Sequence, residues 1–71
     1  MPRLSRNERI VSARCLRGYS QGELADAIHV SRITMNRIET MKTIPSVSLA
    51  LAIANAVNAT VEELFSHAEL R

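Results

Sequence analysis

Residues 20–39 read SQGELADAIHVSRITMNRIE. Leu24, Ala25 and Ile28 recur at helical spacing and make one apolar face. Only His29 and Val30 then separate Ile28 from Ser31, a residue type that caps helix starts. Beyond it, Met35 and Ile38 form the inner face of a second helix at about 100° per residue. Two short helices joined by so tight a turn must cross steeply, and a small side chain is needed where they touch. Ala25 supplies it. The spacing predicts helices over about residues 21–28 and 32–39, joined as a helix-turn-helix.

Opposite Met35 and Ile38 lie Ile33, Asn36 and Arg37, with Arg32 beside them. A surface helix ordinarily shows water a polar face, so an isoleucine among these residues is out of place. In a helix-turn-helix the second helix enters the major groove of double-stranded DNA. There arginine bonds guanine O6 and N7, asparagine does the same for adenine, and an apolar side chain meets the thymine methyl. Arg32, Ile33, Asn36 and Arg37 are therefore candidate base readers. Taken singly, each arginine reads equally well as a phosphate contact or a solvated charge, and Ile33 as a stray surface residue. Ser20, Gln21, Ser31, Thr34 and Lys42 are candidate phosphate contacts. Gln21 opens a helix, where free amides favour an anion. Ser20 and Ser31 read equally well as N-caps, and Lys42 as a solvated charge.

The same style of punctuation runs through all 71 residues. Ser5 precedes Glu8 by three, as Ser20 precedes Glu23 and Thr60 precedes Glu63. Each pair fits a capping box. Ser46 is a further cap. With one Tyr, one Phe and few alternating β-branched runs, strand signals are poor. Five helices are expected: 6–17, 21–28, 32–39, 47–57, and one from residue 61 to about 68. The expected fold is all-α, a single domain over 1–71 with its helix-turn-helix at about 20–39.

Charge is unevenly spread. Residues 1–42 hold eight of the nine Lys/Arg against four acids, a net of +4, whereas residues 43–71 carry a net of −2. One half suits a polyanion and the other does not, although ordinary charge scatter would give the same numbers. The single cysteine, Cys15, excludes an internal disulfide, and with the distant His29 and His67 it makes no metal site. The basic N-terminus lacks the apolar run of a signal peptide. The apolar stretch at 47–57 is too short for a bilayer, so a cytoplasmic protein is expected. No nucleophile, phosphate-loop or metal spacing occurs; neither an enzyme nor a cofactor nor a small-molecule effector is expected.

Helix four is apolar almost all round. With Val47, Ala50, Ala54 and Val57 facing the core, Leu49, Ile53 and Ala56 are left on the far side, and Phe65 and Ala68 extend that surface. An apolar patch on a small domain marks an interface. A homodimer through about residues 47–70 is expected, its recognition helices about 34 Å apart, one turn of DNA. A more enclosed core would remove that surface.

The stretch SQGELADAIHVSRITMNRIE resembles the Cro/cI-type (XRE-like) helix-turn-helix regulators. The resemblance runs from about Ile10 to Phe65 and includes Arg14, Ser20–Ala25, Val30–Arg32, Ile38-Glu39, Pro45-Ser46 and Glu63-Leu64-Phe65. The late part looks most like the short dimeric regulators of the cytolysin-repressor type. The resemblance implies a five-helix lambda-repressor-like fold and a homodimer on a palindromic operator. It places Gln21 on a phosphate and against the recognition helix, sets Arg32, Ile33, Asn36 and Arg37 in the groove, and pairs Arg14 with Glu39. Bottom-up that pair is attractive too, since Arg14 lies one turn after Ile10 on the core side, where a charge needs a partner. Three glycines usual in the family are absent: among them, His29 stands in the turn, and Thr40-Met41 replaces an Asn-Gly. Asn58, which replaces another common glycine, suits a left-handed helix end. The expected function is a transcriptional repressor on double-stranded DNA. The alternative is an antitoxin or another module whose main partner is a protein.

Overall fold

A computed structural model describes residues 6–65. Five helices follow one another: α1 (Glu8–Leu16), α2 (Gln21–Ala27), α3 (Arg32–Glu39), α4 (Val47–Ala56) and α5 (Val61–Leu64). The described chain is all-helical, as the punctuation predicts.

A side-chain cap starts each helix. Ser20, Ser31, Ser46 and Thr60 each accept from the amide three residues on. Ser20–Glu23 and Thr60–Glu63 are complete capping boxes. The expected box at Ser5 is corrected. Asn7 caps α1, accepting from the amides of Arg9 and Ile10, and Ser5 lies outside the described residues. The helix accordingly starts at Glu8 rather than residue 6.

The helix ends are equally regular. α1, α2, α3 and α4 are each followed, after one cap residue, by a left-handed residue: Gly18, His29, Met41 and Asn58. At each, the next amide reaches back over the last turn, as in Val30 N–H to Ala25 O at 3.0 Å and Lys42 N–H to Arg37 O at 2.8 Å. This is the Schellman arrangement, which satisfies carbonyls a helix end leaves orphaned. Glycine enters the left-handed region freely, and asparagine is tolerated there. His29 and Met41, with φ of 62° and 60°, hold it against their own sterics. The two positions where the family pattern has glycine thus share the same backbone strain.

The core gathers Ile10 from α1, Leu24 and Ala25 from α2, Met35 and Ile38 from α3, Ala50, Ile53, Ala54 and Val57 from the α4 region, and Leu64 and Phe65. Ala25 is buried at the α2–α3 crossing, where a larger side chain would push the two helices apart. The expected orientation of α4 is corrected. Ala50, Ala54 and Val57 are buried as expected, but Ile53 is fully buried with them and Val47 is half exposed, so the buried face is turned toward Ile53. Ile53 and Phe65, assigned to a dimer surface, belong to the chain's own core. Leu49 and Ala56 are half-buried against that core, and Ala68 lies outside the described residues.

Candidate nucleic-acid interface

α3 has a sharp inside and outside. Met35, Ile38 and Glu39 are buried, while Arg32, Ile33, Asn36 and Arg37 are exposed. Ile33 is 72% exposed, the reverse of what burial of apolar area favours.

The inside is held by Glu39. Its carboxylate accepts from Arg14 Nε at 2.8 Å and Arg14 Nη2 at 3.2 Å, a two-point contact between α1 and the end of α3. Gln21 Nε2 donates to the same carboxylate at 3.2 Å, adding α2. Arg14 Nη1 completes the set by donating to Tyr19 O at 3.0 Å. Both charged groups are nearly out of water, at 11% and 1% side-chain exposure. The hydrogen bond to Glu39 holds the Arg14 guanidinium above its ordinary pKa, against the opposing effect of burial. Among the described residues no buried side-chain polar atom lacks a partner. A buried pair satisfied this fully fixes orientation, because desolvation offsets most of its Coulomb attraction.

Asn7 locks the same end of α3 from another side. Its amide N–H donates to Glu39 O at 2.6 Å and its Nδ2 to Leu64 O at 2.9 Å. One buried asparagine thus starts α1 and ties the recognition helix to the end of α5. Sequence reasoning passed over it in favour of Ser5. The available signal was the residue type, since asparagine ranks beside serine as a cap.

The outside is a shallow concavity lined by Gln21, Arg32, Ile33, Asn36, Arg37 and Lys42. All four candidate base readers meet there, with two of the candidate phosphate contacts. Ser20, Ser31 and Thr34 do not line it. The Ser31 and Thr34 hydroxyls bond each other at 3.0 Å, and Ser20 caps α2. Arg32, Arg37 and Lys42 have no acidic partner among the described residues. Glu23, the acid in the first turn of α2, is engaged by the Ser20 amide at 2.8 Å. Arg32 is also the first residue of α3, where the helix dipole disfavours a cation. Three uncompensated cations converge on one face, where a polyanion would relieve them. Gly22 borders this face: a Cβ there would lie 3.8 Å from Arg32 Cδ.

Among the described residues, no cluster of three or more His, Cys, Asp or Glu could hold a metal. No described helix is long and apolar enough to cross a membrane.

No curated protein matches the chain. The helix-turn-helix family model matches residues 10–64, from the α1 core residue Ile10 through the end of α5. The match spans the Arg14–Glu39 tie, the α2–turn–α3 unit and the whole concavity, and the chain therefore belongs to the helix-turn-helix family of Cro/cI-like, DNA-binding transcriptional regulators.

Proposed function

We propose that this regulator is a repressor that binds a pseudo-palindromic operator as a homodimer. Arg32, Ile33, Asn36 and Arg37 face base edges, and Gln21 and Lys42 meet the flanking phosphates. One observation carries the reading: three cations without acidic partners share a concavity with Asn36 and an isoleucine exposed where water disfavours it. Against a thymine methyl Ile33 is sheltered, and against guanine or phosphate the arginines are neutralised. Repression follows from occupancy, since a duplex held by such a face is closed to other proteins. Gln21 can serve both partners, because its amide gives one N–H to Glu39 and keeps a second for a phosphate.

The dimer surface moves from the one first expected. Met41, Ile44, Val47 and Leu51, each about half exposed, follow α3 and continue along the outer side of α4. Residues 43–61 contain no Asp, Glu, Lys or Arg, so two copies of this face can meet around a two-fold axis without opposing like charges. A body of 33 × 22 × 21 Å is of the right scale for two side by side to span one turn of DNA.

Selection of bound duplexes from a random pool tests the reading. The expected product is a two-fold related pair of half-sites one turn apart, bound with an affinity that falls steeply with salt. Equal, weak and salt-insensitive binding to every duplex would sink it. Sedimentation separates the partner readings: a wild-type dimer that Leu51→Glu makes monomeric supports the second copy, whereas a wild-type monomer favours a different protein on that face, as an antitoxin would require.

A further inference from the structure

Gly22 stands inside α2 without a structural reason to be glycine. Its φ is not in the left-handed region, and the nearest atom to a Cβ built on it is Arg32 Cδ at 3.8 Å, an ordinary contact with a flexible side chain. Glycine is the least helix-favouring residue after proline. In the first turn of α2 a glutamate would be favoured twice, by helix propensity and by the positive end of the dipole. The chain forgoes both gains at the spot where the Arg32 side chain comes nearest.

We propose that Gly22 is a positioning residue for DNA binding, kept free of a side chain so that Arg32 stays unpaired and available to DNA. A carboxylate at position 22 would sit within reach of the Arg32 guanidinium, since the missing Cβ already lies against that side chain. It would form in the free protein the ion pair that DNA is meant to form. The surrounding acids are consistent with this demand. Glu23, next in sequence, is occupied as the N3 partner of Ser20, and Glu39 is enclosed by Arg14 and Gln21. Asp26, exposed one turn further along α2, makes no ion pair with Arg32, whereas a carboxylate at position 22 would start from a Cβ already in contact with the Arg32 stem. The inference rests on the DNA-binding reading above and adds how one of its arginines is kept free.

The test compares Gly22→Glu, Gly22→Gln, Arg32→Ala and the double variant Gly22→Glu/Arg32→Ala on the duplex selected by the wild type. Gly22→Glu is expected to melt at or above the wild-type temperature and yet to bind about tenfold more weakly, the size of one lost arginine contact. Its salt dependence should flatten by about one counterion. Gly22→Gln, equal in length but uncharged, should stay within about threefold of wild type. Arg32→Ala should cost about tenfold in the wild-type background and almost nothing on top of Gly22→Glu. The idea is overturned if Gly22→Glu binds like wild type, or if the two substitutions weaken binding independently. An equal loss in Gly22→Gln would also overturn it, showing that the glycine clears space for the DNA backbone instead. If the wild type selects no duplex, the DNA-binding reading itself fails, an outcome distinct from these.

Discussion

The two faces of α3 carry the same kinds of residue and treat them oppositely. Inward, Glu39 accepts three hydrogen bonds from Arg14 and Gln21 and is sealed from water. Outward, Arg32 and Arg37 have no acidic partner among the described residues, and Ile33 has no apolar cover. Where charge is compensated inside the protein, it positions the helix. Where it is left uncompensated, it is solvated in the free protein and available to a polyanion. Eight residues thus hold a buried mount and an exposed cationic surface on opposite sides of one helix.

Removing the inner partner is the strongest way to break this contrast. Glu39→Ala leaves Arg14 buried without its anion and is expected to cost about 3 kcal/mol of stability, read by urea denaturation followed by circular dichroism. A loss below ~1 kcal/mol would make the pair no more consequential than a surface ion pair. On the outer face the effects should move to binding. Arg37→Ala should weaken the selected duplex by about 2 kcal/mol while changing stability by less than ~0.5 kcal/mol. Relaxed preference at one base pair would identify a base contact, and a uniform loss over all sequences a phosphate contact.

Smaller effects sharpen the mount. Asn7→Ala removes the α1 cap and the bond to Leu64 O together, and is expected to cost about 2 kcal/mol. Asn7→Ser keeps the cap alone and should recover roughly half of that in thermal melts. At the turn, His29→Gly should raise stability by about 1 kcal/mol, because glycine accepts the left-handed backbone that histidine holds under strain. His29→Ala should give no such gain. If it gives the same gain, the strain is not in the backbone.

Much of this was legible in the residues themselves. Local signals were the readable ones. Ser20, Ser31, Ser46 and Thr60 announce helix starts because a cap needs only a hydroxyl and the amide three residues on. The α2–turn–α3 unit was legible for the same reason, since its apolar faces and two-residue turn all lie within 20 residues. Errors appeared where several answers fitted the local pattern. Either Ser5 or Asn7 could start α1. Only the second also reaches Glu39 and Leu64 across the fold. At Met41 the glycine of the family's pattern marks the left-handed backbone, which the residue type itself does not announce.

Helix α4 is the clearest limit. VSLALAIANA has apolar residues on nearly every side, so periodicity does not say which face turns inward. The pattern puts Val47 in the core and Ile53 outside it; packing buries Ile53 and leaves Val47 half exposed. Sequence alone determined the helices, their caps, the helix-turn-helix and the residues its second helix turns away from the core, because capping and 3.6-residue periodicity act over a few neighbours. Only the tertiary structure decided which apolar side of α4 is spent on the core, which cations are left without partners and why Gly22 lies beneath Arg32. Those facts depend on side chains far apart in the chain competing for the same space.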